Sequence, residues 1–120
     1  MKKEHIVRDN NDFSKIINSG FYAKNKALVI YVLPNELGRY RFGFSVGKKI
    51  GNAVLRNKIK RQLRNIVYKH KKNYQKPCDY IIIVRNGYIG FTFQEIEDLY
   101  IELIEKLDKT KTKEITNEKG

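Results

Sequence analysis

The stretch Phe42–Arg64, FGFSVGKKIGNAVLRNKIKRQLR, changes its period half-way along. At its start Tyr40, Phe42 and Phe44 alternate with Arg41, Gly43 and Ser45, the period-two pattern of a strand with one buried face. After Gly51 the spacing becomes helical. Asn52 stands where an N-cap belongs, and Leu55, Ile59, Leu63 and Ile66 fall within an arc of about 80° when wound at 3.6 residues per turn. The pattern predicts a strand, a short glycine-bearing turn, and a helix over 52–72 whose apolar row packs on the sheet.

The same helix carries a second row. Arg56, Lys60 and Arg64 recur at four-residue spacing, and Asn57 and Arg61 continue that surface. Like charges so spaced weaken an isolated helix by a few tenths of a kcal/mol per pair, roughly, which an anion laid against the row would offset. Nothing nearby neutralises them: Leu37–Cys78 holds 13 Lys and Arg and no Asp or Glu. A merely solvated face mixes both signs, so the pattern favours a phosphate-binding surface. A guanidinium presents a planar fork to phosphate oxygens and stacks on bases, so arginines suit RNA in particular. Lys48 and Lys49 lead into Gly51 and Asn52, where a glycine admits close backbone approach and a helix N-terminus offers N–H groups to an anion.

The whole chain agrees with a polyanionic partner. Its 120 residues suit one domain, and 25 Lys and Arg against 13 Asp and Glu give a net charge of +12. Nucleic acid is the first candidate and an anionic membrane surface the second. The charge is segregated, since Thr92–Gly120 holds 8 acidic residues against 5 Lys. A lone Cys78 excludes an intrachain disulfide and reads as a small buried apolar residue rather than a nucleophile. With no apolar run of signal-peptide or membrane-span length, the expectation is a soluble, cytoplasmic protein. No catalytic residue and no metal ligand is expected. His5 is assigned to a loose N-terminus, His70 lies among lysines, and HExxH, CxxC and clustered carboxylates are missing.

The remaining elements follow from local signals. Asn11 or Asp12 caps a short helix containing Phe13, Ile16 and Ile17, stopped by Gly20. Phe21–Ala23 suggests an edge strand, and Ala27–Leu33 and Tyr80–Val84 suggest further strands. Thr92 and Glu95 form a capping box opening a last helix, with Ile96, Leu99, Tyr100, Leu103, Ile104 and Leu107 as its apolar stripe. The expected class is α+β: a small two-layer sandwich with helices on a mixed β-sheet. It is expected to occupy 1–109, followed by a polar, disordered tail over 110–120.

Taken together, GNAV-x-RN-x-x-KR-x-x-R after a strand and two lysines, with the first helix, VIYVL and DYIIIVR, strongly resembles the bacterial ribonuclease P protein subunit. The resemblance implies a ribosomal protein S5 domain 2-like fold with a left-handed βαβ crossover, against the right-handed rule that holds in about 98% of cases. It implies a protein cofactor for a catalytic RNA subunit, which removes the 5′ leader from precursor tRNA with Mg2+ held mainly by that RNA. Lys48, Lys49, Asn52, Arg56, Asn57, Lys58, Lys60, Arg61 and Arg64 would face the RNA subunit. Lys58 replaces a frequent Arg, keeping the charge and losing the fork. Phe13, Ile17 and Tyr31 would line a leader-binding cleft, where Ile17 departs from the aromatic common at that position. The protein alone is expected to be a monomer.

Two rivals remain at this level. A general RNA-binding or ribosomal protein fits the charge but not the signature. A membrane-surface protein needs its bulky apolar residues exposed, whereas this apolar row is required by the sheet.

Overall fold

A computed structural model describes residues 2–74 and 76–117, with side chains through Asp108. Helix α1 (Asn10–Ser19) is followed by strands β1 (Phe21–Lys24), β2 (Leu28–Pro34) and β3 (Arg41–Ser45). Helix α2 (Ala53–Lys69), strand β4 (Cys78–Val84) and helix α3 (Phe93–Asn117) complete the order. The strands lie side by side as β1-β2-β4-β3, with β3 parallel to β4 and the other pairs antiparallel, so the sheet is mixed as expected. The run from β3 through α2 to β4 is a βαβ crossover between neighbouring strands.

Alternation decides which side chain serves which face. Leu28, Ile30, Val32, Phe42, Tyr80, Ile82 and Val84 enter one core with α2 and α3. The apolar rows predicted for both helices are its helical half: Ile59, Leu63 and Ile66, joined by Val67, and Ile96, Tyr100, Leu103, Ile104 and Leu107. Leu55 and Leu99 pack at its margin. Cys78 is buried here too, as expected. The other face of the sheet is covered by α1 and by Val7 of the segment before it, where Ile16, Ile81 and Val7 form a second, smaller core. The sheet therefore carries its main helical layer on one side and a single short helix on the other, which leaves part of the reverse face open.

Capping chemistry fixes the helix ends. The Asn52 side chain accepts the Leu55 N–H at 2.9 Å, and Thr92 and Glu95 exchange hydrogen bonds at 2.8 and 3.2 Å. For α1 the cap is Asp9, whose carboxylate accepts the Asn11 N–H at 2.7 Å, rather than Asn11 or Asp12. Four consecutive candidates of similar capping strength, Asp9 to Asp12, hid the boundary. Gly20 ends α1 as expected, because a Cβ there would lie 2.6 Å from the carbonyl oxygens of both Ile16 and Val32.

The N-terminus corrects an expectation. It is tied to the sheet: the Val7 N–H donates to the Phe42 carbonyl at 2.9 Å, and the His5 ring stacks on Tyr40 with centroids 4.1 Å apart. His70 also has a partner outside its lysine-rich surroundings, with Nε2 2.7 Å from the carboxylate of buried Glu97 on α3. The tail expected to be disordered falls outside the residues whose side chains are described, and its last three positions lie outside the described residues altogether.

Candidate nucleic-acid interface

Helix α2 turns its two rows in different directions, as its period requires. With Ile59, Leu63 and Ile66 buried, Asn57, Lys58, Arg61 and Arg64 are exposed and Arg56 and Lys60 are half-buried. Among the described residues none of these five cations forms an ion pair with a carboxylate. Arg64 sets its guanidinium 5.8 Å from the centre of the Phe44 ring, which fixes it at the rim of β3 and leaves its N–H groups for another acceptor. Arg56 donates from Nε to the Gly51 carbonyl at 3.1 Å, holding the turn that precedes the helix. Gly51 is needed there because a Cβ would sit 2.6 Å from a methyl of Leu55. Lys48 and Lys49 are exposed on the single 3-10 turn Lys48–Ile50, just before the Asn52 cap.

The candidate groove on the reverse face of the sheet is assembled from α1 and all four strands. Register places Tyr22, Tyr31, Ile81 and Gly43 in one row across the four strands, and Lys24, Val29, Ile83 and Ser45 in the next. Phe13 lies on the first row: a Cβ on Gly43 would meet its ring at 2.7 Å, so the glycine makes the seat for the aromatic. Phe13, Ile17 and Tyr31 are all half-buried around the core of Ile16 and Ile81, so the three predicted cleft residues do share one place. Beyond Ser45 the chain continues through Gly47 into Lys48 and Lys49, so cations follow directly on the row that α1 leaves uncovered.

Two features were not anticipated. Tyr22 stands in the same groove, its ring centroid 5.4 Å from that of Tyr31. Its parity with Lys24 was readable, but not its register against Tyr31. In the adjacent row, with Leu33, Arg41 donates to both carboxylate oxygens of buried Asp79 at 2.8 and 2.7 Å. Asn35 adds a bond to Asp79 at 2.8 Å, and Asp12 of α1 stands 3.5 Å from Arg41. Donating to the Asp79 carboxylate raises the Arg41 pKa, and this bidentate pair commits the cation to the fold and withdraws it from the anion-binding set.

Residues 1–108 match the family model of ribonuclease P. The chain belongs to the ribonuclease P protein family. The ribonuclease P protein component of Halalkalibacterium halodurans is 42% identical over 99 residues, covering 81% of this chain and 82% of that protein. The one from Streptococcus gordonii is 38% identical over 119 residues, or 99% and 98% of the two chains. Among solved structures, the RNase P protein of Staphylococcus aureus superposes with a TM-score of 0.78 at 35% identity, over 84% of this chain and 93% of that one. The RNase P protein of Thermotoga maritima gives 0.73 at 27%, over 80% and 91%. Three helices on a four-stranded mixed sheet is thus the family's α+β architecture, and the signature residues lie on one helix of it. Among the described residues of this family member no helix is long and apolar enough to cross a membrane.

Proposed function

We propose that the chain is the RNA-binding protein subunit of ribonuclease P, assisting a catalytic RNA in endonucleolytic removal of the 5′ leader from precursor tRNA. The observation that carries this is the surface of α2, where Arg56, Lys58, Lys60, Arg61 and Arg64 have no carboxylate partner among the described residues, in a chain of the ribonuclease P protein family. Each such cation is available to replace a condensed counterion on RNA phosphate.

The division of labour follows from residue chemistry. The α2 surface, with Asn52, Asn57, Lys48 and Lys49, holds the RNA subunit. The groove of Phe13, Ile17 and Tyr31 holds the leader, because rings beside cations bind single strands without reading sequence. Bond cleavage belongs to the RNA. The magnesium is assigned mainly to that RNA. The protein alone is read as a monomer.

The test is reconstitution. Added to a bacterial ribonuclease P RNA at low magnesium, the protein is expected to accelerate 5′ processing of precursor tRNA, while protein free of RNA does not cleave. RNA binding without any stimulation of processing would instead indicate a general RNA-binding protein.

A further inference from the structure

Helix α1 does not reach the edge of the sheet face it covers. Ile81, in the middle of its row, is fully buried, whereas Tyr22 at the β1 end of the same row is 56% exposed. Lys24, two residues along β1, is exposed on the same side, since Phe21 and Ala23 turn to the opposite core. We propose that Tyr22 and Lys24 form an outer subsite for one unpaired nucleotide of single-stranded RNA, continuing the leader groove past Tyr31. The inference rests on the leader-groove reading and adds the edge strand to it.

Three observations carry it. The Tyr22 and Tyr31 rings are 5.4 Å apart and tilted by 36°, so cross-strand packing occupies one side of Tyr22 and leaves its other side to solvent. Alternate residues of a strand are separated by about 7 Å, which puts the Lys24 ammonium within reach of the phosphate of a base stacked on Tyr22. Finally, the residues that build this end of the face are Tyr22, Lys24, Val29, Tyr31, Ile83 and Ser45, with no carboxylate among them to repel a phosphate. Rings on adjoining strands are how a sheet receives successive bases. With no ring at Ile17, α1 contributes Phe13 to the groove, and Tyr22 and Tyr31 add rings from β1 and β2.

The experiment uses the protein assembled with a bacterial ribonuclease P RNA and precursor tRNAs whose leaders are graded in length. Tyr22→Ala is expected to weaken binding about tenfold, and only beyond a threshold leader length. Tyr22→Phe should bind as the parent does, because stacking needs no hydroxyl, and Lys24→Ala should flatten the salt dependence for long leaders alone. Phe13→Ala serves as the control for the inner groove and should weaken shorter leaders as well. Tyr22→Ala that matches the parent at every length, while Phe13→Ala loses leader affinity, overturns the outer subsite and leaves the groove standing. Both variants flat at all lengths overturns groove and subsite together. Equal loss by Tyr22→Ala on mature tRNA means the ring acts through assembly, and also overturns the inference.

Discussion

Arg64 shows how one residue can serve fold and surface at once. Its guanidinium lies over the Phe44 ring, yet it is exposed and without an ion-pair partner among the described residues. Arg64→Ala is expected to weaken binding to the RNA subunit and to lower the log–log salt slope by about 0.7–0.9 unit, measured by titration across a salt series. An unchanged slope would remove Arg64 from the phosphate contacts. Glu97 is the opposite case, an acid used entirely inside the protein. Hydrogen bonding from His70, and then from Lys69, lowers the pKa of this buried carboxyl below its ordinary value near 4.5. A depressed carboxylate contributes stability that is present above its unfolded pKa and lost as pH falls through the folded one. Glu97→Gln should therefore cost about 2 kcal/mol at pH 7, with the deficit shrinking in acid below the unfolded value. Denaturant titrations at pH 7 and at progressively lower pH would read this, and a deficit independent of pH would contradict it.

At the scale of the element, α2 separates two jobs by about one residue's rotation. Ile59 is buried in the main core, while Lys58 and Lys60 beside it in sequence face outward or lie half-covered. Ile59→Ala should lower stability by roughly 2–5 kcal/mol, seen as a reduced urea midpoint, with the salt slope of RNA binding unchanged for the folded fraction. A change in slope would mean that the two rows are not independent. Helix α3 makes the complementary case. Its apolar stripe packs on β1 and β2, and its Glu97 pairs with Lys69 and His70 at the C-terminal end of α2.

Across the whole molecule the groove exists only because four elements converge. Phe13 comes from α1, Tyr22 from β1, Tyr31 from β2, and the glycine seat from β3. Phe13→Ala or Tyr31→Ala should weaken precursor tRNA with a leader of several nucleotides by about 1–3 kcal/mol per stacked base, while mature tRNA binding barely changes. Should both variants merely melt at lower temperature, with no leader-dependent loss, the rings are packing residues. By itself the sequence determined the α+β class, the strands, the caps at Asn52 and Thr92, and the division of α2 into apolar and cationic rows. These are legible because period and capping act between residues a few positions apart. It also carried the family signature, which is contiguous. Tertiary structure alone decided the rest. The placement of α1 on the reverse face brings Ile16 to Ile81, and the Tyr22–Tyr31 pair, the Arg41–Asp79 bond and the His70–Glu97 pair join residues 9 to 38 positions apart. Strand register and the choice of sheet face set these contacts, and both depend on how the whole core closes.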